Sequence, residues 1–318
     1  MTLNDAYKSY IASRHDLRPG TVNVYNNAYR HAQRTLGEKD ITEIKYSNIK
    51  NLYATLRFEN GLKPRTIELL NSVLHPIFNT ALRDQVINYN PVSGALHEVS
   101  RGGAWQKETR PALTIEEQKS FMSFIRTSQF KRWENLFTFF LGTGCRVGEA
   151  VALRWQDIDF EKGQINICRS ATYIDGQLVD GPTKTKASNR SIPMLSEVRK
   201  ALEKEQMIQI LVDGCAEGYV FKNSRGKPHL PATINQTIKN IVRANNIKNP
   251  DAPLPEFTVH QLRHTFCTRL CEQETNLKVI QSVMGHSDIK TTMDVYASVT
   301  EEKKTLSFAA IDDKMIIG

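Results

Sequence analysis

Over residues 1–90 the apolar positions recur three and four residues apart, the spacing that gathers them on one face of a helix. Leu3, Ala6, Tyr7, Tyr10 and Ile11 follow Thr2 in this way and predict a first helix. A second is expected from about Thr21 to Leu36, stopping at Gly37, a residue suited to the turn just past a helix end. A third starts near Ser47 and ends around Asn60-Gly61. The fourth follows Pro64 and carries Ile67, Leu70, Leu74, Ile77, Phe78, Ala81 and Leu82, with Pro76 expected to kink it. Asn90-Pro91 closes this region.

Residues 92–112, VSGALHEVSRGGAWQKETRPA, are rich in Gly, Ser and charge and show no period, which reads as a linker with a domain break near residue 105. Thr114 and Glu117 then form a capping box ahead of a helix. An apolar helix around Trp133–Leu141 leads into Thr143-Gly144-Cys145-Arg146, and a short helix over Val147–Leu153 follows. Strand-like runs come next at 165–168, 171–174 and 191–193, with Asp175-Gly176 composed like a hairpin turn between two of them. Ser196–Val212 reads as helix, Tyr219–Phe221 as a short strand, and the rest mostly as helix. The expected fold is mainly α with a small β-sheet: a helical domain over 1–91, a linker over 92–112, and a second, α/β domain over 113–318.

The 318 residues suffice for two domains, and 40% are hydrophobic, enough for real cores. No run approaches the ~20 apolar residues of a membrane span. The opening MTLNDAYKSY lacks a signal-peptide apolar region, so a soluble, cytoplasmic protein without a membrane partner is expected. The net charge of +8 favours a polyanionic partner. Residues 1–105 hold 13 Lys and Arg against 9 Asp and Glu, and the remainder 29 against 25, so each part carries +4. If the polyanion is DNA, both domains are expected to touch it. The five cysteines are odd in number and lack a C-x-x-C, which argues against a disulfide framework. Cys267 and Cys271 are read as core thiols, and no metal site is expected.

The candidate chemistry lies in residues 260–296, HQLRHTFCTRLCEQETNLKVIQSVMGHSDIKTTMDVY, and in the upstream TGCRVGEA. Thr258 and Gln261 form a second capping box, which places His260 and Arg263 on one face of a helix's first turn. Free backbone N–H groups and the positive end of the helix dipole point the same way, and Arg presents a fork of donors matched to phosphate oxygens. An isolated H-x-x-R would read as an ordinary solvated helix start. Arg146 is crowded by apolar residues and must have a partner, because a buried unpaired charge is expensive. Glu149, three residues on, is the candidate; the pair is either internal to the fold or holds Arg146 toward a phosphate. His264 is read as a structural core residue. Lys184 and Lys186 in GPTKTKASNRSIPM are either a solvated basic turn or a mobile cation that can donate a proton. His286 follows Gly285 at the end of a helix over Leu277–Met284. It either caps that helix or donates to a phosphate oxygen. Tyr296 alone would read as a half-buried packing residue; as a nucleophile it needs help in losing its proton.

Four segments, TGCRVGEAVALRW, TKTKASNRSIPM, HQLRHTF and MGHSDIKTTMDVYA, stand in the order and spacing of the tyrosine recombinases, the phage-type integrases, and together resemble that family over nearly the whole chain. The TKTK and TTMDVYA segments look like those of temperate-phage and conjugative-transposon integrases, which often carry an arm-binding domain ahead of a core-binding domain.

The resemblance implies a helical core-binding domain and a catalytic domain that form a C-shaped clamp on double-stranded DNA. It implies a site-specific recombinase working through a 3′-phosphotyrosyl intermediate, with neither cofactor, metal nor ATP. Tyr296 would be the nucleophile, Arg146 and Arg263 the clamp on the non-bridging oxygens, and His260 the aid to proton transfer. Lys184, with Lys186 as the alternative, would protonate the leaving oxygen; His286 would hydrogen-bond the phosphate; Glu149 would support the arginine. Where the family often has a histidine two residues past the nucleophile, this chain has Ser298. Residues from about 299 to 318 hold an amphipathic run, and by resemblance such a tail docks on a neighbouring protomer. The implied assembly is a homo-tetramer on two DNA duplexes, with an accessory DNA-bending or directionality protein, in a prokaryotic nucleoid. Two rival readings use the same scaffold: a catalytically silent DNA-binding protein, and a related resolvase- or topoisomerase-like strand transferase.

Overall fold

The computed structural model describes residues 1–101, 105, 111–174, 177–183, 186–274, 276–297 and 299, with backbone only at 173, 174 and 186. The chain divides between Thr109 and Arg110 into two compact units.

The first unit is helical: α1 (Leu3–Ser13), α2 (Pro19–Leu36), α3 (Tyr46–Ala54), α4 (Pro64–Arg83) and α5 (Ala95–Ser100). The Thr2 hydroxyl accepts from the Asp5 backbone N–H while the Asp5 carboxylate accepts from that of Thr2, a reciprocal cap that starts α1. Helix α2 begins two residues earlier than expected, because Pro19 fits a first helical position that needs no N–H. A π turn over Thr55–Glu59 prolongs α3. Helix α4 continues past Pro76 to Arg83. Leu3, Tyr53, Ile67, Leu70, Leu74 and Phe78 are buried in one core, and Tyr7 stacks on Tyr29 with ring centroids 3.8 Å apart.

Helix α5 corrects the expected linker over 92–112. Val92 and Ala95 are buried in the same core, Leu96 and Val99 pack against it, and Glu98 pairs with Lys50 of α3 at 2.6 Å. Six residues offer too few apolar positions to declare a period, so the segment's helicity comes from packing.

The second unit holds α6 (Ile115–Thr127), α7 (Glu134–Thr143), α8 (Val147–Ala152), α9 (Ser196–Asp213), α10 (Pro231–Lys248), α11 (Val259–Gln273) and α12 (Leu277–Met284). Residues 289–297 are also helical. Strands β1 (Ile158–Asp159), β2 (Gln164–Ile167) and β5 (Arg190–Pro193) form an antiparallel sheet in the order β1-β2-β5, with Ile165 opposite Ile192. Strands β3 (Arg169–Ile174) and β4 (Gln177–Pro182) pair separately as a hairpin with Ala171 opposite Asp180. The Asp175-Gly176 turn lies outside the described residues.

Strand β4 was not foreseen. Its sequence QLVDGP carries poor strand formers, and it is held from outside: Arg154 donates to Asp180 at 2.7 Å, and Tyr219 donates to the same carboxylate at 3.2 Å. Tyr219–Phe221, expected as a strand, contributes only an isolated bridge from Tyr219 to Arg154. Phe121, Phe137, Phe139, Phe140, Ile165, Ile238 and Leu262 fill the main core of this unit. Cys145, Cys267 and Cys271 are buried, Cys168 is partly covered and Cys215 is exposed.

Candidate active site

Helix α7 is apolar and ends at Gly144, whose φ of +59° belongs to the left-handed region. A Cβ there would also come within 2.4 Å of the Phe266 ring. This turn sets Arg146 at the N-cap of α8 with Glu149 three positions on. The Glu149 carboxylate, 2% exposed, accepts the Arg146 backbone N–H at 2.9 Å and its guanidinium Nη1 at 2.8 Å. It also accepts Nη2 of Arg190, from β5, at 2.9 Å. Burial works to raise this carboxyl's pKa; the hydrogen bond and charge of Arg190, then Arg146, outweigh it and hold the group below the usual range.

The C-terminal end of α12 supplies the second set of anchors. A helix leaves its last carbonyls without partners inside the helix, and they carry the negative end of its dipole. Here Val283 O accepts from Arg190 Nε at 2.7 Å, Met284 O from Arg263 Nη2 at 2.7 Å, and Gly285 O from Arg146 Nη2 at 2.9 Å. Arg263 Nη1 donates also to Gly144 O at 2.7 Å, and Arg190 Nη1 to Ser188 O at 3.2 Å. Gly285, at φ +62°, is constrained twice, since a Cβ would stand 2.9 Å from Arg190 Nη1. Among the described residues, three guanidinium groups thus share one helix end, and two of them, Arg146 and Arg190, also share the Glu149 carboxylate.

A cavity of about 380 Å³ opens beside this cluster, lined by Arg146, His260, Arg263, His264 and His286 among others. The arginines differ in depth: the side chain of Arg146 is 38% exposed, whereas Arg263 is 4% exposed. Burial, then the charge of Arg146, pulls the Arg263 guanidinium down to about 10, still protonated at neutral pH. Burial, then Arg263 and Arg146, pushes His286 down to about 4, so its ring is neutral. An anion with several oxygens, such as a phosphodiester, matches such a set of donors.

Helix α11 delivers His260 and Arg263 from its first turn. The Gln261 side chain accepts the Thr258 backbone N–H at 3.0 Å, and Asn235 of α10 accepts the Val259 N–H at 3.0 Å. His260 is exposed at the cavity wall while Arg263 is buried. His264, read from the sequence as a core residue, is half-buried and lines the cavity, with its pKa lowered by burial.

Thr291 and Val295, from the helical residues 289–297, also line the cavity. Tyr296 is partly buried against a small cluster of Cys267, Cys271, Ile280, Met284 and Val299. Lys184 lies outside the described residues, as does the side chain of Lys186, whose backbone belongs to a 3-10 turn over Lys186–Ser188. The C-terminal segment expected to dock on a neighbour lies outside them too, apart from Val299.

Two residues of this region were missed from the sequence. Arg190 looks like one more charge in a polar loop; the clue available was its place in the alternating RSIP strand, which turns it to the same side as Ile192. Thr292 is fully buried, with its hydroxyl 2.9 Å from His286 Nδ1, and nothing in KTTMDVY marks it.

Residues 111–303 match the phage integrase family. The chain is 28% identical to a XerC-like tyrosine recombinase of Caldanaerobacter subterraneus subsp. tengcongensis, over 99% of this chain and 84% of that protein. It is 30% identical to the transposase of transposon Tn916 from Enterococcus faecalis, over 83% of this chain; the matched region spans 66% of the transposase, just under two thirds. Among solved structures it is similar to the integrase of transposon Tn1549 in complex with a circular intermediate DNA, with a TM-score of 0.83 and 29% identity, covering 93% of this chain and 95% of that one.

Proposed function

Because the chain belongs to the phage integrase family and is a tyrosine recombinase, we propose that it cuts and rejoins DNA through Tyr296 to integrate or excise a mobile element. The observation that carries this reading is the cavity in which Arg146, Arg263, His260 and His286 converge.

The Tyr296 oxygen attacks the phosphorus of a backbone phosphodiester. The bond to the 5′ oxygen breaks, and a 3′-phosphotyrosyl ester and a 5′-hydroxyl result. His260 assists removal of the phenol proton, and Lys184, or Lys186 in its place, returns a proton to the leaving oxygen. Arg146 and Arg263 donate to the non-bridging oxygens, whose charge grows in the transition state, and His286 adds a further hydrogen bond. Glu149 keeps Arg146 aimed. The ester retains the energy of the bond it replaces, so a second 5′-hydroxyl reseals the strand by the reverse steps without ATP.

The partner is duplex DNA, in keeping with the DNA complex of the similar Tn1549 integrase. Phosphate contacts supply most of the affinity, with strong salt dependence. Exchange between two duplexes opens four strands and needs four tyrosines. With one Tyr296 per chain, the working assembly is a homo-tetramer, aided by an accessory DNA-bending or directionality protein and acting in the nucleoid.

The test is a duplex nicked close to the cleavage site, so that the short fragment diffuses away and the covalent complex accumulates. The wild-type chain is expected to form a protein–DNA adduct stable to denaturant, and Tyr296→Phe none. An adduct with the Phe variant would reassign the nucleophile.

A further inference from the structure

The hydrogen bond between His286 and Thr292 joins the phosphate grip to the segment that carries the nucleophile. Thr292 is fully buried, lies in the helical residues 289–297, and precedes Tyr296 by four positions, so the two share one side of that helix. We propose that Thr292 is a positioning residue: its hydroxyl donates to His286 Nδ1, fixes the ring proton on Nε2 for the phosphate, and does so only while the helix bearing Tyr296 is docked. This rests on His286 meeting the phosphate as described above.

The argument follows the proton. A phosphodiester oxygen accepts hydrogen bonds and donates none. A neutral imidazole has a single N–H, carried on one nitrogen while the other accepts. With His286 pushed down to about 4 by burial and then by Arg263 and Arg146, the ring has one proton to place near neutral pH. To serve a phosphate that proton must sit on Nε2, and Nδ1 must then accept. The nearby guanidinium groups are spent on Glu149 and backbone carbonyls, whereas the Thr292 hydroxyl lies 2.9 Å from Nδ1. A helical threonine otherwise turns its hydroxyl back to the carbonyl four residues earlier, as Thr143 and Thr265 do here at 2.7 and 2.8 Å. Thr292 instead sets its hydroxyl beside His286 Nδ1, where in this proposal it is the donor.

A consequence is that the two halves of the chemistry become linked. When the helix withdraws, Nδ1 loses its donor and the ring is free to take the other tautomer, which offers the phosphate a lone pair instead of a proton. The phosphate site is then complete only with the nucleophile's helix in place.

The experiment uses the full chain with Thr292→Val, Thr292→Ser, His286→Ala and the His286→Ala/Thr292→Val double variant, and follows adduct formation on the nicked duplex. Thr292→Val is expected to slow it by about tenfold, the usual scale for removing the partner that orients a ligating histidine, while Thr292→Ser stays close to wild type. In the His286→Ala background the valine should cost nothing further. Nitrogen-15 ring shifts of His286 in the DNA-free protein should report proton on Nε2 in wild type and Thr292→Ser, and a shift toward Nδ1 in Thr292→Val. A wild-type rate with unaltered ring shifts in Thr292→Val, or the same loss with and without His286, overturns the inference. Unimpaired adduct formation by both Tyr296→Phe and His286→Ala would instead sink the underlying reading of the site.

Discussion

The arginine cluster and the helix that carries Tyr296 lie in the same unit and are held in opposite ways. Arg190 and Arg263 are 8% and 4% exposed, and each donates to two backbone carbonyls. Their positions are set by the ends of α7 and α12, elements whose own shape does not depend on a side-chain rotamer. Among the described contacts, residues 289–297 rest instead on a small apolar cluster around Ile280 and Met284 and on the hydrogen bond between Thr292 and His286. Local stability is uneven in folded proteins, and segments with few buried contacts sit at its low end. Among the described contacts, the arginine cluster is therefore anchored mainly by backbone carbonyls and a carboxylate, and the Tyr296 segment mainly by apolar packing.

The largest effect that could break this contrast is at Glu149. Glu149→Ala leaves Arg146 and Arg190 without their shared carboxylate and should cost about 3–5 kcal/mol, the scale for removing one partner of a buried ion pair. Urea unfolding measures it, and an unchanged midpoint would mean that the carboxylate does not anchor the cluster. Ile280→Ala opens a cavity under the tyrosine segment and should cost about 2–4 kcal/mol. Its mark should be loss of amide-exchange protection in residues 289–297, with Arg263 and α11 still protected. Equal loss in both regions would show that they open as one.

Arg146→Lys should have a smaller effect on folding, about 1 kcal/mol or less for a pair whose arginine is 38% exposed. A lysine ammonium cannot span Glu149 and Gly285 with a rigid fork, so strand cleavage should fall by about tenfold or more while DNA affinity changes little. A matching loss of affinity would place Arg146 in DNA binding rather than in the reaction. The last effect concerns pH. His286 is lowered from 6.5 to about 4, so the unfolded chain takes up its proton first as the solution is acidified. The stability this contributes is complete above about pH 6.5 and is lost as pH falls toward 4. His286→Asn should flatten the decline of the melting temperature across that window, and an identical decline would remove His286 as a source of it.

The residues proposed to carry chemistry were the ones the sequence marked most clearly, and the structure brings four of them to one cavity. Arg146, His260, Arg263 and His286 stand beside glycines and caps that mark helix ends, and the helix ends do the positioning. Arg190 escaped because its partners lie far off in sequence: Glu149 41 residues before it and Val283 93 residues after. Thr292 escaped because hydroxyl burial leaves no trace in composition. Helix α5 and strand β4 were missed for a common reason. Neither has the period or propensity to fold by itself, and each is imposed by tertiary partners, the helical core for one and the Arg154–Asp180 pair for the other.

The bond from Arg146 to the carbonyl of Gly285 spans 139 residues. Synthesis at roughly 5–20 residues per second separates the two by about 7–28 seconds on the ribosome. Through that interval the nascent chain displays its arginine with no α12 to aim it, and Arg263 and Tyr296 are either unmade or unplaced. The arginine cluster around Glu149 and the end of α12 therefore closes only after α12 itself has been made.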